Sequence, residues 1–345
     1  MKTLGVLLTI LAAGIAAPAP AADALLARAQ ALFQPIPATP PALAGNAATV
    51  AKVDLGRMLF FDPRLSASHA ISCNSCHNVG LGGVDAEETS IGHNWQRGNR
   101  NAPTVFNAVF NTAQFWDGRA KDLEEQAGGP LVNPVEMASP KEHVINQLAA
   151  IPGYLAAFRT AFPADADPLT LANAQKAIAV FEATLTTPNA PFDRYLRGNA
   201  AALSAAQQHG LQLFIDKGCA ACHNGVNVGG AMYAPFGVVE NPGSELLPPD
   251  DKGRFAVTRT VSDQYVFRVP TLRNITLTAP YFHTGRSWDL GQAVAVMGSS
   301  QLGAQLDDQE IALIVDFLGS LTGDQPRIVY PQLPPSIAAT PQPRP

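Results

Sequence analysis

Two copies of one five-residue pattern, Cys73-Asn74-Ser75-Cys76-His77 and Cys219-Ala220-Ala221-Cys222-His223, use every cysteine in this 345-residue chain. Cys-x-x-Cys-His is the attachment pattern of c-type haem. Two thiols three residues apart can each add to one vinyl group of the porphyrin, and the adjacent imidazole is then held where it ligates the iron. A structural zinc site, thioredoxin-like dithiols or two disulfides also use cysteines, but none fixes a histidine directly after the second cysteine in both copies. The pattern therefore predicts two covalently bound haems c, with His77 and His223 as iron ligands.

Lys2 precedes an apolar run, Leu4 to Ala17, and Ala19-Pro20-Ala21-Ala22 follows it. That order is a cleavable secretory leader, and the run is shorter than the ~20 residues that span a bilayer. The sequence thus predicts a signal peptide over residues 1–22 and a periplasmic product without a membrane span. The remaining chain, roughly 320 residues, exceeds what one core usually serves. Cys76 and Cys222 are 146 residues apart, so each motif can hold its own domain, 23–190 and 191–325. A proline-rich tail, 326–345, is expected across the surface or disordered. The 47% hydrophobic content suits two large apolar cofactors, and a net charge of −5 without clustered Lys and Arg excludes nucleic-acid binding.

Apolar recurrence predicts helices over Asp54 to Phe61, Lys141 to Leu148, Leu171 to Thr184, Ser204 to Lys217 and Asp308 to Leu321, with Ser204 and Asp308 as N-caps. Long Gly-, Pro- and Asn-rich segments such as 80–104 and 238–253 separate them. The expected fold is mainly α, two cytochrome c-like haem domains with long loops and few short strands. No long internal repeat is legible beyond the duplicated motif.

The ligand on the far side of each iron decides between electron transfer and substrate binding. For the second haem the candidates are Met232, nine residues after His223 in a Gly-Gly loop, and Met297, which lies far downstream just before the closing helix. The position of Met297 favours it. Met58 and Met137 read as packing residues. For the first haem, His93 stands sixteen residues after His77 in the loop Ile91-Gly92-His93-Asn94. A loop histidine can ligate in one redox state and leave in another, or simply be solvated; His69 is the rival, though close to the attachment site. His143 and His209 fall on helices and read as surface or packing residues.

Several segments carry a resemblance: Leu59-Phe60-Phe61-Asp62-Pro63-Arg64-Leu65-Ser66, Cys73 to Gly83 with Gly92-His93, Asn101-Ala102-Pro103-Thr104, Phe115-Trp116-Asp117-Gly118-Arg119, Pro270-Thr271-Leu272-Arg273-Asn274 and Thr278-Ala279-Pro280-Tyr281-Phe282-His283. In order and number they resemble the bacterial dihaem cytochrome c peroxidases over nearly the whole mature chain.

The resemblance implies a periplasmic enzyme that reduces hydrogen peroxide to water with electrons from a small cytochrome c or a cupredoxin. The N-terminal haem is then the peroxide site and the C-terminal haem receives electrons. His93 matches a distal ligand displaced on reduction, Met297 the axial ligand of the second haem, and Trp116 an aromatic ring between the haems. Glu136 and Gln126 match the groups that move the proton and orient the peroxide. A calcium ion is implied at Asn101 through its side chain and at Thr278 and Pro280 through backbone carbonyls, as is a homodimer. Rival readings are a dihaem electron-transfer cytochrome without peroxide turnover, a related enzyme with a tyrosine ligand that oxidises a partner's tryptophans, and a haem-bearing sensor.

Overall fold

The computed structural model describes residues 21–344, so the expected leader lies outside the described residues except for Ala21 and Ala22. Among the described residues there are twelve α-helices: α1 (Ala21–Leu32), α2 (Val50–Phe61), α3 (Cys73–Cys76), α4 (Leu123–Val132), α5 (Lys141–Ala149), α6 (Pro152–Ala161), α7 (Leu171–Ala183), α8 (Pro191–Leu196), α9 (Ala205–Asp216), α10 (Phe255–Thr258), α11 (Leu290–Leu302) and α12 (Asp308–Gly319). The sheet is one antiparallel pair, β1 (Tyr233–Pro235) and β2 (Val266–Arg268), with Ala234 opposite Phe267. The fold is mainly α with few strands, as the sequence leads one to expect.

Local chemistry sets the helix ends. Ser204 caps α9 in a reciprocal capping box with Gln207. The cap of α12 is Asp307, paired with Glu310, one residue earlier than the sequence pattern suggests. Asp289 accepts from the Gln292 amide (2.7 Å) to start α11, a helix that encloses Met297. Met297 therefore sits within a helix rather than on an extended stretch of chain before the closing helix.

Two long cores form. One gathers Leu55, Leu59, Val144, Leu148, Tyr154, Phe158 and Ile178 from α2, α5, α6 and α7. The other gathers Phe192, Tyr195, Leu211, Phe214, Phe317 and Leu318 from α8, α9 and α12. Each is built on one close helix crossing, α2 on α7 and α9 on α12. Glycine makes both crossings possible: a Cβ on Gly56 would collide with the Ala177 carbonyl and Phe181 Cβ, and one on Gly210 with the Leu313 carbonyl and Phe317 Cβ. Gly56→Ala or Gly210→Ala should each destabilise the protein by about 1–3 kcal/mol, the usual range for overpacking. Urea unfolding midpoints check this.

The ends of the chain cross over. Leu25, Ala29 and Phe33 of α1 and the segment after it join the second core, not the half they precede. The proline-rich tail runs back over the first half. Ile328 packs against the Phe60 and Phe106 cluster, Tyr330 meets Phe61 at 4.9 Å, Ser336 accepts from Arg64 (2.9 Å), and the Arg344 amide donates to the Ala67 carbonyl (2.7 Å). No described helix is long and apolar enough to cross a membrane.

Candidate active site

Each cysteine motif folds as one tight turn that brings its histidine back under it. The His77 amide donates to the Cys73 carbonyl (2.9 Å) and the His223 amide to the Cys219 carbonyl (3.0 Å). Burial lowers the His77 pKa against the Asp85 charge and the Gly83 and Pro103 carbonyls. Burial likewise pushes His223 down to about 4, against the Val228 and Pro270 carbonyls. Both imidazoles are therefore neutral at pH 7, the state that ligates a metal.

Two cavities open beside these turns. Cys73, Cys76 and His77 line the first, Cys219, Cys222 and His223 the second. The first encloses about 920 Å³ and the second about 230 Å³. Paired thiols and a neutral imidazole on one wall of each fit the attachment of a haem c. Burial pushes the Cys76 and Cys219 thiols up to about 11.

Segment 101–104 and Trp116 line both cavities and form the wall between them. The Trp116 indole N–H donates to the Asn101 carbonyl (2.9 Å). Across the wall, His283 lies against Trp116 (6.1 Å between rings) and stacks on Phe267 (4.2 Å). The halves are pinned there by Arg100, which pairs with Asp117 (2.7 Å) and Asp251 (2.6 Å), and by the Arg268 amide on the Trp116 carbonyl (2.7 Å).

The wall also exposes a repeat that the sequence reading misses. Residues 102–119 and 269–286 share Pro-Thr-x-x-Asn and Phe-x-x-Gly-Arg at matching positions. Their backbones match too. Asn107 and Asn274 have φ of 59° and 60°, Phe115 and Phe282 of 66°, Gly118 and Gly285 of 66° and 65°, and the bridges Gln114–Ala120 and Tyr281–Ser287 coincide. Trp116 and His283 are thus equivalent positions of a duplicated unit. Two short identities separated by seven variable residues are too sparse a signal without the shared turns.

Of the candidate residues, Gln126 from α4 and Glu136 from the loop after it line the first cavity. Burial raises the Glu136 pKa, opposed by the Arg119 charge and the Asn133 side chain, whose amide donates to Oε1 at 2.9 Å. Arg119, held over the Phe115 ring at 3.5 Å, lines the same cavity and was not evident from sequence. Gly92 lies on the wall but His93 does not. The His93 amide donates to the Glu136 carbonyl (2.8 Å), so its loop rests on the segment carrying Glu136. Asn94 and Trp95, next to it, adopt φ of 54° and 60°, costly for residues with a Cβ.

Met297 lines the second cavity with His223, whereas Met232 does not. Asn101, Thr278 and Pro280 share that cavity's wall toward the first half. The Asn101 side-chain amide donates to the Glu87 carbonyl (2.9 Å). No described donor reaches Asn101 Oδ1 or the Thr278 and Pro280 carbonyls.

The family model for di-haem cytochrome c peroxidase matches residues 50–201, and that for cytochrome c matches residues 207–322. The cytochrome c551 peroxidase of Pseudomonas aeruginosa is 57% identical over 95% of both chains, and that of Nitrosomonas europaea 49% identical over 91% of this chain and 90% of the relative. The chain belongs to the di-haem cytochrome c peroxidase family. It is an oxidoreductase with two haem c groups, one in each cytochrome c-like half. The methylamine utilization protein MauG of Methylorubrum extorquens is a more distant relative, 35% identical over 86% of each chain. Among solved structures, a MauG-like protein associated with microbial copper homeostasis superposes with a TM-score of 0.74 at 28% identity, covering 84% of this chain and 93% of that one. Within this peroxidase the two haem cavities are chemically unlike: carboxyl groups line only the first, while the second holds none and is lined mainly by aliphatic and aromatic side chains with the Met297 thioether.

Proposed function

We propose that this peroxidase reduces hydrogen peroxide to water in the periplasm with electrons from a small cytochrome c or a cupredoxin, after cleavage of the leader over 1–22. The observation that carries this reading is the asymmetry of the cavities: carboxyl groups, Glu136 among them, line only the one at Cys73–His77. When bound, the haem at Cys219–His223 supplies the entry point for electrons and the haem at Cys73–His77 the iron at which the O–O bond is cleaved. The domains are 23–190 and 191–325, with α1 of the first stretch packed into the second core and the tail at 326–345 laid along the first.

Glu136 takes the proton from one peroxide oxygen and returns it to the other, so that with two electrons and two protons both oxygens leave as water. Asn133 fixes one carboxyl oxygen and leaves the other free for this transfer. Gln126 orients the peroxide by hydrogen bonding, and Arg119 offers positive charge where charge separates along the bond. Met297, which lines the cavity with His223, would hold the second iron, a thioether being suited to a high-potential centre. Trp116 couples the two cavities. His93 would be a removable holder of the first iron; its short turn and the two left-handed residues after it support a loop with more than one seat. Asn101 Oδ1 and the Thr278 and Pro280 carbonyls hold a calcium ion, since unused oxygens with waters suit a hard cation. The active form is a homodimer.

One experiment tests the core of this reading. Spectra of the oxidised and half-reduced protein, with and without calcium, are recorded and followed by a peroxide titration. A high-spin signal that arises only after one electron supports gating by His93, and His93→Gly should then turn over peroxide without prior reduction. An unaltered requirement for reduction in His93→Gly overturns the gate.

A further inference from the structure

The duplicated architecture supplies an internal control for the residues around each haem cavity. Ala177 and Phe181 meet Gly56 as Leu313 and Phe317 meet Gly210, so the next residue on α7, Glu182, is the counterpart of Leu318 on α12. Leu318 is 3% exposed and lines the second cavity. Glu182 is 4% exposed and lines the first. One half therefore seals this position with a leucine, and the other places a carboxyl there that the fold does not need. No hydrogen bond reaches that carboxyl, and Oε2 is fully enclosed.

We propose that Glu182 is a redox-linked proton site of the first haem cavity: it binds one proton when the iron there gains an electron and releases it when that electron leaves. The balance is one electron from the donor to the ferric iron and one proton from solvent to the carboxylate, reversed on oxidation. An unpartnered carboxyl out of water resists ionisation unless a positive charge is near, and reduction removes one positive charge from the cavity.

The surroundings leave this coupling unmasked. Burial alone raises the Glu182 pKa, to about 8. On the packed helices, Asp54 and Arg57 of α2 pair with each other, Lys52 sits over Phe162, and Glu124 and Glu125 of α4 and Lys141, Glu142 and His143 of α5 do not act on it. In the cavity Arg119 acts on Glu136, while the charge acting on His77 comes from Asp85. Glu182 raises the Cys73 thiol, after burial itself, a thiol that haem attachment consumes.

The proposal rests on haem occupancy of the first cavity, so the haem-loaded protein is tested. The midpoint potential of that haem is measured against pH by spectroelectrochemistry in the wild type, Glu182→Gln and Glu182→Leu, after the covalent haems are counted. The wild-type potential should fall with rising pH across the interval in which Glu182 ionises, and both variants should lose that slope. Redox-difference infrared spectra should show a carboxylic C=O band that Glu182→Gln removes. Glu182→Gln is nearly isosteric and suffices if the leucine variant does not fold. Two haems with the same slope in all three proteins overturn the role of Glu182 alone. A first cavity without covalent haem overturns both the occupancy reading and the proposal.

Discussion

Glu136→Gln should lower peroxide turnover by about 10²–10⁴-fold, the range for loss of a positioned acid–base group, equivalent to about 3–5 kcal/mol of barrier. The amide keeps the shape and can still meet Asn133, so haem attachment and spectra should be unchanged while turnover falls. The pH profile sharpens the test. Burial raises the Glu136 pKa from its ordinary 4.5, and the carboxylate is the form that accepts the first proton. Wild-type turnover should therefore fall as pH drops through that raised value, an acidic limb lying above the usual carboxylate range. Glu136→Gln should lose the limb together with the rate. Steady-state assays from pH 4 to 8 check both, and a change of only a few-fold would remove Glu136 from the proton path.

The largest loss of stability is expected far from the peroxide site. Arg273 and Asp193 form an ion pair at 2.7 Å with both side chains fully buried. Asp193 also accepts from the Ile36 and Ala190 amides, and Arg273 donates to the Gln34 and Val226 carbonyls. Asp193→Ala leaves a buried guanidinium without its counter-charge and two amides without acceptors, and should cost about 3–5 kcal/mol. Arg273→Met in the Asp193→Ala background should recover part of it, because the stranded charge is then gone. Denaturant unfolding of the four proteins in a double-mutant cycle measures the coupling.

The haem-attachment turns were fully legible, because chemistry constrains Cys-x-x-Cys-His at five consecutive positions. Helices with dense aliphatic recurrence, such as α7 and α12, were also legible. Helix α4 was not: Gly128, Gly129 and Pro130 break its pattern, and packing against α7 overrides weak propensity. Helix α11 went unseen because small residues, Gly291, Gly298, Ser299 and Ser300, dilute its apolar face. Gln126 and Glu136 came to notice only through the resemblance, since a lone carboxylate in a loop carries no spacing signal. Arg119, His283 and Glu182 gain meaning from neighbours distant in sequence. The duplicated unit was hidden because its conserved part is a set of left-handed turns, and backbone dihedrals are not written in hydropathy.

The exchange of chain ends bears on how firmly the two halves are held at one spacing. They are tied by the covalent connection between α7 and α8, by α1 plugged into the later core, and by the tail fastened along the earlier one. With three tethers, release of any one leaves its partner surfaces at a high effective concentration, so rebinding is intramolecular and favoured. Breathing between the halves then requires both clasps to open together. The thickness of the Trp116 wall is in this way set by the path of the chain as well as by the contacts on its faces.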